Sequence, residues 1–314
     1  MNHLMKKIAR KMGNLFEITV SCEEEEEGNK WIDAAFEFIS SIESQLSTYQ
    51  PTSDTSRIND AAGIEPVQVH KETFDLIARC QRLSDLTQGA FDITYGSVDK
   101  RLWNFDTQMT QLPDKITAQK MVRLINYRNI ELDRANLSVM LKEKGMRIGF
   151  GGIGKGYAAE KTREWLRLQG IQAGIVNASG DLTTWGLQPN GREWTIGIAD
   201  PNQSGSIFSF LNVSNMAVAT SGNYEKFVVI NGKKYSHTID PRNGLPITGI
   251  KSVTIITPNA ELADALTTPI AIMGIEAGLD LIDQLHQVEC IIIDDDDKIY
   301  TSKNIQWKDG PKRT

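Results

Sequence analysis

The chain has 314 residues, 40% apolar and 24% charged, enough to bury a sizeable core in one large domain or two moderate ones. A formal net charge of -6 excludes the broad basic footprint that a phosphate backbone requires, so no nucleic-acid partner is expected. Three isolated cysteines, Cys22, Cys80 and Cys290, spell neither a disulfide framework nor a CxxC metal site, and no run reaches the roughly 18 apolar residues of a transmembrane segment.

Residues 1–11 are basic but lack the apolar stretch of a secretory leader, so they read as an N-terminal extension ahead of a domain spanning 12–314. As encoded, a cytoplasmic location is expected; a periplasmic or membrane-anchored one would require a removed leader. Met12 to Ser21 has strand character, and the acidic run Glu23 to Glu27 before Gly28 reads as a solvated turn. From Trp31, Ala34, Ala35, Phe38, Ile39, Ile42 and Leu46 recur at helical spacing and lead into the loop STYQPTSDTSRIN. A second helix over about Glu72 to Gln88 turns Leu76, Cys80 and Leu83 inward and stops at Gly89, which makes Cys80 a core residue.

Met146 to Phe150 reads as a short strand entering a glycine cluster, and Gly156 to Leu168 as the helix after it, closed by Gly170. Short β-branched or aromatic runs follow at Ile171 to Asn177, Trp194 to Ile198, Ala217 to Thr220, Lys226 to Ile230, Lys233 to His237 and Ser252 to Ile256, so the second half is sheet-rich. A helix over Ala260 to Met273 precedes two last strands. Between them Asp294 to Asp297 form a hairpin tip, because four consecutive aspartates cannot all face one ion.

The cluster GFGGIGKGY, Gly149 to Tyr157, satisfies G-x-G-x-x-G through Gly149, Gly151 and Gly154. A dinucleotide-binding fold would also need regular strand and helix alternation and an acidic residue ending the next strand, and both are missing. A phosphate loop fails as well, because Gly156 replaces the hydroxyl residue that holds magnesium. What remains is physical: glycines let backbone N–H groups approach phosphate oxygens at a helix start, with Lys155 as a cation beside them. A tight packing turn is the structural alternative.

Two further segments bring chemistry. In ELADALTTP, Asp264 and Thr268 lie four apart on a helix and share a face, where a carboxylate and a hydroxyl suit a hard cation such as magnesium. Asp264 as a helix-capping or solvated residue is the alternative. In SHTIDPRNGLPI, His237 stands at a strand end before a Pro-Arg-Asn-Gly turn, with Asp240 and Arg242 close by, a placement that suits a general acid or base.

The segments MGNLFEITV, LSTYQPTSDTSRIN, AFDITYGSVDKRLW, GFGGIGKGYAAEK, NASGDL, ATSGNYEKF, YSHTIDPRNGLP and VTIITPNAELADALTT follow in order the blocks of a known family. Over about residues 12 to 275 the chain resembles the ApbE-like FAD:protein FMN transferases. The resemblance implies a single α+β domain of T-fold-like type, with two lobes around a central cofactor cleft. It also implies FAD as substrate, Mg2+, and transfer of FMN to a threonine or serine hydroxyl of a flavin-acceptor protein with release of AMP. Carried residue by residue, it places the metal on Asp264, Thr268 and the Gly152 carbonyl, with Thr267 as a neighbouring candidate. Flavin contacts fall on Met12, Tyr49, the turn of Ala90, Phe91 and Asp92, Lys155 and Ile239, and His237 falls near the phosphates. The chain departs from the pattern at Gly149, where many relatives carry aspartate, at Gly152, which is usually another small residue, and at Asn223, where SGD is common. Pro269, next to Thr268, is expected to kink or restart the helix. Two other functions fit the same residues: an FAD pyrophosphatase that uses water as acceptor, and a non-catalytic FAD-binding protein.

Overall fold

A computed structural model describes residues 2–99, 101, 110–200, 202, 207–222 and 227–305. Asn223 and Lys226, and residues 100, 102 and 103 of the third family block, lie outside the described residues. The chain opens with a hairpin of β1 (His3–Lys11) and β2 (Asn14–Cys22), then α1 (Glu25–Leu46), α2 (Asp54–Asp60), β3 (Val67–Gln68) and α3 (Lys71–Leu86). After a 3-10 turn at Ile93–Ser97 come α4 (Lys115–Met121), β4 (Ile130–Asp133), β5 (Ser138–Leu141) and α5 (Gly154–Leu168). The second half holds β6 (Ala173–Ala178), β7 (Asp181–Trp185), β8 (Trp194–Ala199), β9 (Ile207–Val213), β10 (Ala217–Gly222), β11 (Phe227–Ile230), β12 (Lys233–Ser236) and β13 (Ile250–Thr257). It ends with α6 (Ala260–Met273), α7 (Ile275–Ile282), β14 (Glu289–Asp294) and β15 (Ile299–Thr301).

Eight strands form one antiparallel sheet in the order β1-β2-β6-β7-β10-β13-β14-β15. The interior strand β13 is buried along its whole length because both faces are covered. Val253 and Ile255 join the main core with Ala263, Leu266 and Ile270 of α6, whereas Ile256 belongs to a second cluster with Val218, Trp194 and Ile196 under the β8–β9 ribbon. Each strand residue thus faces one layer or the other by its parity, and residues of both parities are buried. This is the α+β fold expected of the chain. No helix among the described residues is long and apolar enough to cross a membrane.

Three expectations for the amino end change. The stretch read as an extension carries β1, which pairs with β2 over nine residues, from His3 opposite Cys22 to Lys11 opposite Asn14. Glu25, Glu26 and Glu27, read as a turn, form the first turn of α1, where acidic side chains complement the helix dipole. Gly28, read with that turn, is a helix residue: a Cβ there would stand 2.0 Å from Met5 Cε, so the glycine is the gap into which β1 packs.

Residues 146–150, read as a strand, have no ladder partner among the described residues. Side chains replace it. Asn59 of α2 donates from Nδ2 to the Ile148 carbonyl (3.0 Å) and accepts the Ile148 N–H (2.7 Å), while Ser97 does the same for Arg147 at 3.0 and 2.8 Å. The helix at Ala260 to Met273 has the expected bounds and runs through Pro269 as one element. Here the burial of Ala265, Leu266 and Ile270 outweighs the hydrogen bond that proline removes. The aspartate run forms the β14–β15 tip, where Asp294 Oδ1 accepts the N–H groups of Asp296 and Lys298, each at 2.9 Å. Cys80 is fully buried, and burial pushes its thiol up, so it is core.

Candidate active site

The glycine loop between Ile148 and α5 is the point on which the other segments converge. A Cβ built on Gly149 would lie 3.7 Å from Thr48 Cγ2, beside Tyr49; one on Gly152 would lie 4.0 Å from Phe91 Cε2; one on Gly154 would lie 3.6 Å from Met12 Cε. Met12 sits in the left-handed region at φ 51° and its N–H donates to Glu43 Oε2 at 2.8 Å, which fixes the β1–β2 turn against α1. Tyr49 is 93% exposed, so its ring face is open to a planar ligand. Gly151 and Gly152 are exposed, and the loop therefore presents backbone rather than side chain.

The rim residues have structural work as well. Ala90 and Phe91 are buried. Asp92 caps the 3-10 turn: Oδ1 accepts from Thr94 N–H (2.7 Å) and Oγ1 (2.6 Å), and Oδ2 accepts from Tyr127 N–H (2.9 Å). Burial pushes its carboxyl up although these bonds oppose the shift. The loop STYQPTSDTSRIN is a clamp: Ser53 caps α2 by accepting the Ser56 N–H, and Thr55 Oγ1 donates to the Leu46 carbonyl at the end of α1.

At the start of α5 the helix cap, Ile153, has no side-chain bond of its own. The anion comes from α6. Asp264 is buried, its Oδ2 accepts the Gly156 N–H at 2.8 Å, and the Lys155 N–H is also directed to it. The helix amino terminus, expected from sequence to meet a phosphate, thus receives a carboxylate of the protein itself. Gly156 is required for the approach, since a Cβ there would lie 2.2 Å from the Ala260 carbonyl oxygen and 2.5 Å from Asp264 Cβ.

Beside it Asp181, buried at the start of β7, forms an ion pair with Lys155 Nζ. Sequence reasoning gave Asp181 no role; the only signal was its place in NASGDL, after the turn made by Ser179 and Gly180 at φ 53° and 100°. Burial, with Asp181 next to it, pushes the Asp264 carboxyl up to about 7, although Lys155 and the Gly156 N–H oppose the shift. Two buried carboxylates share one ammonium here. That charge deficit, with the half-buried Thr268 hydroxyl on the same helix face as Asp264 and the exposed Gly152 in the loop, suits a hard divalent cation. Thr267 is turned to its own helix, Oγ1 donating to the Asp264 carbonyl at 2.9 Å.

His237 is exposed in the bend after β12. Asp240 and Arg242, counted from sequence as its company, are engaged with each other. Asp240 Oδ1 accepts from Arg242 N–H (2.9 Å) and Nε (2.8 Å), Oδ2 accepts from Arg242 and Asn243, and Gly244 N–H closes the turn on the Asp240 carbonyl at 2.8 Å. Gly244, at φ 78°, rests on α4, where a Cβ would lie 2.3 Å from the Ala118 carbonyl oxygen. Buried Ile239 forms a bridge with Pro246, and its backbone is hydrogen-bonded to Tyr95. A Cβ on Gly89 would meet Arg242 Cγ at 3.9 Å, so this turn lies against the segment that carries Ala90 to Asp92.

The family model described as the ApbE family matches residues 12–292. The chain is 31% identical over 260 residues to the FAD:protein FMN transferase of Klebsiella pneumoniae (strain 342), covering 82% of this chain and 80% of that protein. Among solved structures, the ApbE protein of Thermotoga maritima superposes with a TM-score of 0.84 at 29% identity, covering 96% of this chain and 97% of that one. The flavin transferase ApbE of Vibrio cholerae superposes with a TM-score of 0.83 at 26% identity, covering 96% and 98%. The extent of these matches, on a fold that gathers the glycine loop and the Asp264 helix into one site, shows that this chain is an enzyme of the ApbE family.

Proposed function

We propose that the chain transfers FMN from FAD to a threonine or serine hydroxyl of an acceptor protein, with magnesium, and releases AMP. The single observation that carries this reading is the buried Asp264 carboxyl at the start of α5, gathered with Asp181, Lys155 and the glycine loop into one acidic cluster. Magnesium, when bound, supplies neutralisation of the pyrophosphate charge. Asp264, Thr268 and the Gly152 carbonyl would hold it. The exposed Tyr49 offers a ring for the isoalloxazine, and Met12 and Phe91 flank the loop.

In the reaction the acceptor oxygen forms a bond to the FMN phosphorus, the bond from that phosphorus to the bridging oxygen breaks, and AMP leaves with that oxygen. The hydroxyl proton passes to His237, whose exposure lets a protein substrate reach it. The test is AMP release from FAD and Mg2+ with and without a threonine-containing acceptor, while mass spectrometry follows the acceptor. Acceptor flavinylation that disappears with EDTA is the expected result. AMP without flavinylation would replace transfer by hydrolysis, and no AMP at all would leave FAD binding alone.

A further inference from the structure

Asp181 is fixed from two sides. It begins β7 after a turn held at positive φ, and its Oδ1 accepts the Thr220 N–H of β10 at 3.4 Å. Its Oδ2 takes the ammonium of Lys155. Lys155 stands in the first turn of α5, next to Gly156, whose N–H holds Asp264. One half-buried ammonium therefore lies within electrostatic reach of two buried carboxylates, and the strand geometry of Asp181 decides which of them it bonds. Were Asp181 unable to bond it, Asp264 would be the remaining buried acidic partner, and an ammonium there would occupy the position a metal ion needs.

We propose that Asp181 is a positioning residue that draws the Lys155 ammonium away from Asp264 and so keeps the Asp264 carboxylate open to a divalent cation. This rests on the magnesium reading above. It gives a half-buried ion pair a purpose other than stability, since such pairs contribute little to stability by themselves. Its consequence is directional: loss of Asp181 weakens metal binding, and loss of Lys155 in the same molecule restores it. A residue that merely supported the fold would show no such restoration.

The test is a calorimetric titration of the purified full chain with Mg2+ alone, without FAD, on the wild type, Asp181→Asn, Lys155→Met, the double variant and Asp264→Asn. Asp181→Asn is expected to raise the Mg2+ dissociation constant about tenfold, the scale on which supporting partners of metal ligands act. Lys155→Met is expected to bind no more weakly than wild type, and the double variant to return to within about twofold of it. An Asp181→Asn constant equal to wild type, or a double variant no better than Asp181→Asn, overturns the proposal. With wild type binding and Asp264→Asn silent, the magnesium reading survives that failure; a silent wild type overturns both. If Asp181→Asn does not fold, Lys155→Met decides: binding at or below the wild-type constant supports the proposal, and a tenfold loss overturns it.

Discussion

On the proposed reading, Asp264 concentrates the chemistry of the chain in one side chain. It is buried, accepts the Gly156 N–H at 2.8 Å and lies beside a second carboxylate, so replacement by alanine removes the ligand that the magnesium reading assigns while the exposed Tyr49 ring, proposed to meet the flavin, remains. Asp264→Ala is therefore expected to reduce AMP release about 10³-fold, the scale of losing an electrostatic stabiliser of the transition state, with a much smaller change in FAD affinity. Steady-state AMP assays and flavin fluorescence quenching separate the two, and equal losses in both would remove Asp264 from the chemical step. His237 differs in kind: it is exposed, in the bend after β12. His237→Ala is expected to slow transfer about 10²-fold, as for loss of a general base, with Mg2+ binding by calorimetry unchanged. An unaltered turnover number would exclude the histidine from proton transfer.

At the scale of elements, polar side chains tie the first half of the fold together. Asp54 is buried, with Oδ1 accepting from Arg57 at 2.9 Å and Oδ2 accepting from the His70 N–H and Thr73 Oγ1 at 2.9 and 2.7 Å. Burial raises its carboxyl, but the bonds from Thr73, His70 and Arg57 outweigh burial, and the folded group ionises below the ordinary value of 3.8. A carboxyl lowered on folding contributes stability that is fully present above the unfolded value and is lost as pH falls through the folded one. Asp54→Asn is thus expected to cost about 2 kcal/mol at pH 7 by urea denaturation. The gap from wild type should narrow only as pH drops below about 3.8; a gap constant down to pH 2 would contradict the assignment. These bonds also mark the limit of what the sequence discloses. The helices over 260–273 and 154–168 were legible because their apolar period and their glycine or proline boundaries are local. Residues 146–150 were not, because Asn59 and Ser97, remote in sequence, supply the bonds that a strand partner would have made. In the site, Asp264 and the glycine loop were visible as motifs. Asp181 was not, because its meaning lies in Lys155, 26 residues earlier and brought to it by the α5–β7 packing.

For the molecule as a whole, the family match starts at residue 12, yet the sheet starts at His3. β1 is an edge strand that carries Lys6, Lys7 and Lys11, which pair with Glu17, Asp33 and Glu37, and charged lysines on an edge oppose pairing with other chains. Its Met5 is buried in the space left by Gly28 of α1, so the strand is packed into the core as well as hydrogen-bonded to β2. Deleting residues 2–9 would make β2 the edge, and β2 carries Phe16, Ile18 and Val20, all fully buried, with no lysine among its nine residues. Loss of the ladder and of Met5 burial is expected to lower Tm by about 5 °C. The same deletion should convert a charged edge into one that associates, which light scattering would register as concentration-dependent growth in mass. If the shortened chain melts at the wild-type temperature and keeps its mass, residues 2–9 are dispensable to the domain; if both change, the strand belongs to the domain and guards its edge.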